Sequence, residues 1–70
     1  MEPVQRFGQN VRTARLERGW TQEDLAGRTG LATVQVSRVE RGVPEIRLTT
    51  LLRLLRALEM SPGQLLDGLY

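Results

Sequence analysis

Ten basic side chains, all of them arginine, are the most abundant chemically specific groups in this chain of 70 residues. A guanidinium is a planar fork of donors that suits a carboxylate, a phosphate or the edge of guanine, and it stays charged at any ordinary pH. The missing residue types narrow the chemistry further. There is no His, so the commonest general base and the commonest metal ligand are both absent. There is no Cys, and so neither a disulfide nor a thiolate metal site. The carboxylates show no pattern resembling a paired acid–base site. The chain reads as one that binds and does not catalyse, with no metal, cofactor or small-molecule ligand expected.

Composition alone does not name the partner. An all-arginine basic set also follows from a GC-rich genome. The formal net charge is only +2, and the sequence pI near 10.4 reflects the lack of groups titrating near neutrality. A nucleic acid is permitted, not demanded. Seventy residues make a single domain, 1–70, close to the lower limit for folding without disulfides or metals. No apolar run is long enough to span a membrane. The opening MEPVQRFGQN lacks the basic-then-apolar pattern of a signal peptide. The expectation is a cytoplasmic protein.

The groups must be positioned by helices, because most of the chain has helical periodicity. Pro3 suits a first helical turn, and Val4, Phe7, Val11 and Ala14 then recur at spacings of three and four. Gly19 ends this helix, and Trp20, the single Trp, is expected to plug the core. Thr21 with Asp24 forms a variant capping box for a second helix running to about Thr29. Gly30 breaks it, and Thr33 begins a third helix through Arg41 that Gly42 and Pro44 end. After the connector GVPEIRLT, a fourth helix starts near Thr49 and carries Leu48, Leu51, Leu52, Leu54, Leu55 and Leu58. That leucine arc is wider than one packing face needs. Ser61 and Pro62 open a short fifth helix with Leu65, Leu66 and Leu69 on its apolar side.

The stretch TQEDLAGRTGLATVQVSRVE, residues 21–40, has the makings of two helices crossing steeply about a tight turn. Ala26 is small enough for a close crossing. Gly30 permits the positive φ of the turn. Leu25, Leu31, Val36 and Val39 are spaced to point inward together. These are the requirements of a helix-turn-helix.

Gln22, Leu25, Ala26, Gly30, Leu31, Val36, Ser37, Val39, Glu40 and Gly42 together resemble the Cro/CI-type, or Xre-like, helix-turn-helix regulators. Val11, Arg15, Gly19, Leu51, Leu58 and Leu65 extend the likeness to roughly residues 7–66. The resemblance implies an all-α, compact five-helix, lambda-repressor-like domain. It implies a recognition helix at 33–41 in the major groove of double-stranded DNA, and a dimer on a palindromic operator. Three features depart from the pattern. Thr33 and Val34 stand where the family often has a long polar residue followed by a small one. The connector Val43, Pro44, Glu45, Ile46 is poor in cations, which leaves Arg47 as its main phosphate candidate. Gly27 lies inside the second helix, at a cost of about 1 kcal/mol relative to Ala.

On this resemblance the expected base contacts are Thr33, Val34, Gln35 and Arg38. An apolar Val34 can meet a thymine methyl, or be partly buried against the connector. Arg38 can donate two hydrogen bonds to guanine, reach a phosphate, or pair with Glu40 or Glu45. Expected phosphate contacts are Gln22, Ser37 and Arg47. Arg15 and Glu40 are expected to pair inside the fold, linking the first and third helices. Leu55, Leu65, Leu66, Leu69 and Tyr70 are expected at a homodimer interface, since so small a monomer has little core to cover them. Arg53 and Arg56 read as a solvated face. The function implied is a sequence-specific transcriptional regulator acting as a repressor. The alternative is a protein-binding adaptor or antitoxin-like module on the same fold.

Overall fold

The structure is a computed structural model that describes residues 2–43 and 45–69. The elements are α1 (Pro3–Glu17), α2 (Gln22–Thr29), α3 (Thr33–Glu40), α4 (Leu48–Leu58) and α5 (Pro62–Leu65), with no strand among the described residues. The fold is all-α. Met1, Pro44 and Tyr70 lie outside the described residues.

Local signals set most of the boundaries. The Thr21 hydroxyl accepts from the Asp24 amide at 3.0 Å, and the Asp24 carboxylate accepts from the Thr21 amide at 2.8 Å. Two of the unpaired donors at the α2 N-terminus are thereby satisfied. Ser61 and Gln64 repeat the arrangement at α5, at 3.2 and 2.9 Å. Gly30 ends α2 in the left-handed region, φ 75°, and its amide donates to the Ala26 carbonyl at 2.9 Å. The Leu31 amide donates to the same carbonyl, so the chain reverses within two residues. The buried Thr29 hydroxyl stiffens the reversal by donating to the carbonyls of Leu25 and Ala26, at 2.8 and 3.1 Å.

Every helix contributes to one core. Phe7, Val11 and Ala14 come from α1, Leu25 and Ala26 from α2, Val36 from α3, Leu54, Leu55 and Leu58 from α4, and Leu65 from α5. Complete burial of a Leu or Val is worth about 1.5–3 kcal/mol, so Val11, Leu25, Val36, Leu54, Leu58 and Leu65 form the main apolar contribution. Trp20 does not plug this core; it is half-buried at its edge. Its ring carries the Arg28 guanidinium 4.0 Å from the centroid, a cation–π contact on the outer side.

Two polar ties close the ends of the bundle. Arg18 donates to the carbonyls of Ala14 and Leu58, pinning the last turn of α1 to the last turn of α4. The Asn10 amide donates to the carbonyls of Leu65 and Asp67, each at 2.8 Å, and holds the C-terminal turn on α1.

Candidate nucleic-acid interface

α3 carries most of the expected contacts, and its two faces differ sharply. Val36 is fully buried, Glu40 is 8% exposed and Val39 packs against the core. A 3.6-residue repeat then turns positions 34, 38 and 41 outward. Thr33, Val34, Gln35, Arg38 and Arg41 are all exposed. Val34 is 63% exposed, so an apolar branched side chain stands in solvent on a helix whose interior is already filled.

The inner face is held by a buried ion pair. Arg15 Nε lies 2.7 Å from Glu40 Oε2, and Nη2 donates to Oε1 at 3.0 Å, a two-bond fork between α1 and α3. The side chains are 7% and 2% exposed. Arg15 Nη1 also donates to the Trp20 carbonyl at 2.7 Å, which ties in the segment leading to α2. The hydrogen bond that Arg15 donates to Glu40, aided by the negative charge of Glu40, raises the Arg15 pKa further above its ordinary range despite burial. Gln22 completes the knot: its Nε2 donates to Glu40 Oε1 at 3.2 Å. One carboxylate thus joins α1, α2 and α3.

The expected DNA-contacting residues fall into two groups. Val34, Gln35, Arg38 and Arg47 border a single groove of about 450 Å³ between α3, the connector and the start of α1. Gln22 is half-buried on the other side of α3, held by Glu40, with Ser37 half-buried one turn beyond Thr33. Gln35 turns its Oε1 back to accept from the Ala32 amide at 2.8 Å, capping its own helix. Its two amide N–H donors remain for another partner. Arg41, which sequence reasoning passed over as a helix end, is exposed on the outward face, and its Nε donates to the Ser37 carbonyl at 3.3 Å. Its signal was the wheel position alone: three residues after Arg38 and seven after Val34.

The expected dimer residues require a correction. Leu65 is fully buried and Leu55 is 9% exposed; both fill the core of the single chain and offer no surface to a second copy. Leu66 and Leu69 are half-buried against that core, and Tyr70 lies outside the described residues. The apolar surface left open by the leucine arc is Leu48, 69% exposed, and Leu52, 50% exposed. α2 and α1 cover the inner part of the arc, and no described element covers the outer part. Arg53, read as solvated, is exposed and also reaches the Gly30 carbonyl at 3.4 Å.

A helix-turn-helix profile matches residues 11–65. The chain belongs to the Cro/CI-type helix-turn-helix family. Among curated relatives, this helix-turn-helix protein is 40% identical over 57 residues to a hypothetical transcription factor of Neisseria meningitidis serogroup B, covering 81% of this chain and 54% of that one. It is 33% identical over 51 residues to antitoxin HipB of Escherichia coli K12, covering 73% and 58%. The chain therefore spans only about half the length of the curated relatives it matches. Among solved structures, the restriction-modification controller protein C.AhdI from Aeromonas hydrophila superposes with a TM-score of 0.84 at 39% identity, over 89% of this chain and 94% of that one. The controller C.Esp1396I, as a tetramer in complex with its natural 35 base-pair operator, matches with a TM-score of 0.82 at 29% identity, over 94% and 87%.

Proposed function

We propose that this chain is a sequence-specific DNA-binding transcription regulator, a repressor, that acts by occupying a palindromic operator as a homodimer. The carrying observation is the split character of α3. Its inner face is locked by Val36 and the buried Arg15–Glu40 pair, while Val34 and Arg38 stand exposed on the opposite side. A rigid helix that presents a fork donor and an apolar branch to solvent is suited to reading base edges in a major groove. The operator complex of C.Esp1396I, a relative at 29% identity, supports the same reading.

In this reading Arg38 donates two hydrogen bonds to O6 and N7 of guanine, and Val34 contacts a thymine methyl. Thr33 and the amide of Gln35 serve neighbouring base edges. Gln22, Ser37 and Arg47 fix the register on phosphates, with Gln22 presented at the start of α2, where the backbone dipole favours an anion. Arg41 joins them as a further phosphate contact. Isologous pairing of two copies sets the recognition helices about 34 Å apart, one turn of DNA. No step of this action requires catalysis, a metal or a cofactor.

Selection of bound duplexes from a random pool tests the proposal directly. The expected outcome is an enriched palindrome, with affinity that falls steeply as salt rises. Arg38→Ala is expected to lose about 1–3 kcal/mol and to relax preference at one operator position. An even loss across operator variants, with a shallower salt slope, would reassign Arg38 to phosphate. No enriched sequence, together with salt-insensitive capture of a protein partner, would favour the adaptor or antitoxin reading that the HipB match keeps in view.

A further inference from the structure

Gly8 lies in the middle of α1, fully inside the helix, where Ala would ordinarily be preferred. It is buried under the last turn of α3. A Cβ at this position would stand 2.8 Å from the Glu40 carbonyl oxygen and closer still to that of Val39. Ordinary contact begins near 3.4 Å, so any side chain at position 8 must drive the two helices apart by roughly half an ångström or more. Both colliding atoms are backbone, and no rotamer change can relieve them.

The surroundings make this contact directional. One turn earlier on α1, Gln5 packs against Gly42, where a Cβ would come within 2.8 Å of the Gln5 Cα. Two turns later, Arg15 holds the Glu40 carboxylate. Glu40 is therefore gripped twice by the same helix, by its main chain at Gly8 and by its side chain at Arg15. The exposed residues of α3 lie on the opposite face from this seat. A shift of the seat displaces the last turn of α3, and Val34 and Arg38 move with it because they stand on the same short helix.

We infer that Gly8 is a positioning residue for DNA reading: by allowing the α3 backbone to rest directly on α1, it sets the tilt of the recognition helix and hence the sequence preference, without touching DNA. This rests on the reading of α3 as the DNA-recognition helix. Base readout tolerates displacements of only about 0.5 Å, so the shift imposed by one methyl group is large on that scale.

Gly27→Ala is the matched control. It adds the same methyl group to a helical glycine, but on α2 and into open space. Affinities of wild type, Gly8→Ala and Gly27→Ala are measured for the selected operator and for a scrambled duplex across a salt series. Gly8→Ala is expected to lose about tenfold in operator affinity, the value of one well-placed base contact, while its scrambled-duplex affinity and salt slope stay at wild-type levels. Gly27→Ala is expected to leave the operator-to-scrambled ratio unchanged. A merely destabilised protein would lose both affinities together. Should Gly8→Ala be partly unfolded, sucrose sufficient to restore its helical circular dichroism keeps the comparison valid. Amide NMR spectra of the DNA-free proteins form a second arm, in which Gly8→Ala should displace the signals of residues 33–41 and Gly27→Ala should not. An unchanged affinity ratio, or amide changes that stop short of residues 33–38, would overturn the inference. If the wild type prefers no duplex at all, the DNA-binding reading fails, and the NMR arm still decides whether Gly8 sets α3.

Discussion

Glu40→Gln replaces one carboxylate oxygen with an amide nitrogen at a side chain that is 2% exposed. The new NH2 group cannot accept the hydrogen bond that Arg15 donates there, and the Arg15 guanidinium, itself 7% exposed, is left without a counter-charge. Arg15→Met does the reverse. It strands the carboxylate with only Gln22 as a donor and also frees the Trp20 carbonyl. Breaking a buried pair by removing one partner typically costs about 3–5 kcal/mol. A domain of this length has a total stability of about 4–10 kcal/mol at 0.05–0.15 kcal/mol per residue. Each single substitution thus removes a large share of the margin, and the melting temperature should fall by about 12 °C or more. The double variant Arg15→Met, Glu40→Leu leaves no unpaired charge, so it should be more stable than either single variant. Replacing a buried pair by apolar groups of similar volume is often neutral or better. Urea melts of wild type, the two single variants and the double variant are followed by both far-ultraviolet circular dichroism and Trp20 fluorescence, the dichroism guarding against a purely local change at Trp20. Single-variant losses below about 1 kcal/mol, the range of solvated pairs, would refute the reasoning. So would a double variant whose loss equals the sum of the two.

Other outcomes follow from single features. Gly27→Ala should stabilise the protein by about 1 kcal/mol, because the position is helical and nothing lies near its missing side chain; a thermal melt showing no gain would mean that α2 is not regular there. The Asp24 carboxylate is held below its ordinary value of 3.8 by the Thr21 amide and then the Thr21 hydroxyl. A depressed folded-state value means that its contribution is complete above that ordinary value and is lost as pH falls through the lower, folded-state one. The stability gap between wild type and Asp24→Asn should therefore be flat above about pH 5 and close in more acid solution, and a gap independent of pH would exclude the capping role. For the proposed homodimer, Leu52→Glu should lower the dimer fraction in sedimentation while leaving the helical dichroism intact, since Leu52 is 50% exposed; a wild-type protein that sediments as a monomer at high concentration would count against that interface.

Much of the fold was legible in order along the chain, for a physical reason. Caps and turns are short-range devices. Thr21 with Asp24, Ser61 with Gln64, and Gly30 with its positive φ each satisfy backbone groups within three or four residues, so residue type and spacing suffice to read them. Periodicity likewise pointed Leu25, Val36 and Leu58 inward. Arg15 and Glu40 are 25 positions apart, and their pairing was expected from family likeness, since no spacing rule reaches that far.

The tertiary structure decided what depends on a distant neighbour. Leu65 and Leu52 are the same residue type on apolar helix faces, yet one is fully buried and the other half exposed, because α1 covers α5 while no described element packs over the outer side of α4. Asn10 and Arg18 look like ordinary surface residues until the carbonyls of Leu65, Asp67 and Leu58 are brought to them. Gly8 reads in the sequence as a weak point in a helix. Only the crossing of α1 and α3 makes it a seat for the backbone at Val39 and Glu40, since a close approach between two helices is a property of their packing and leaves no mark on either helix alone.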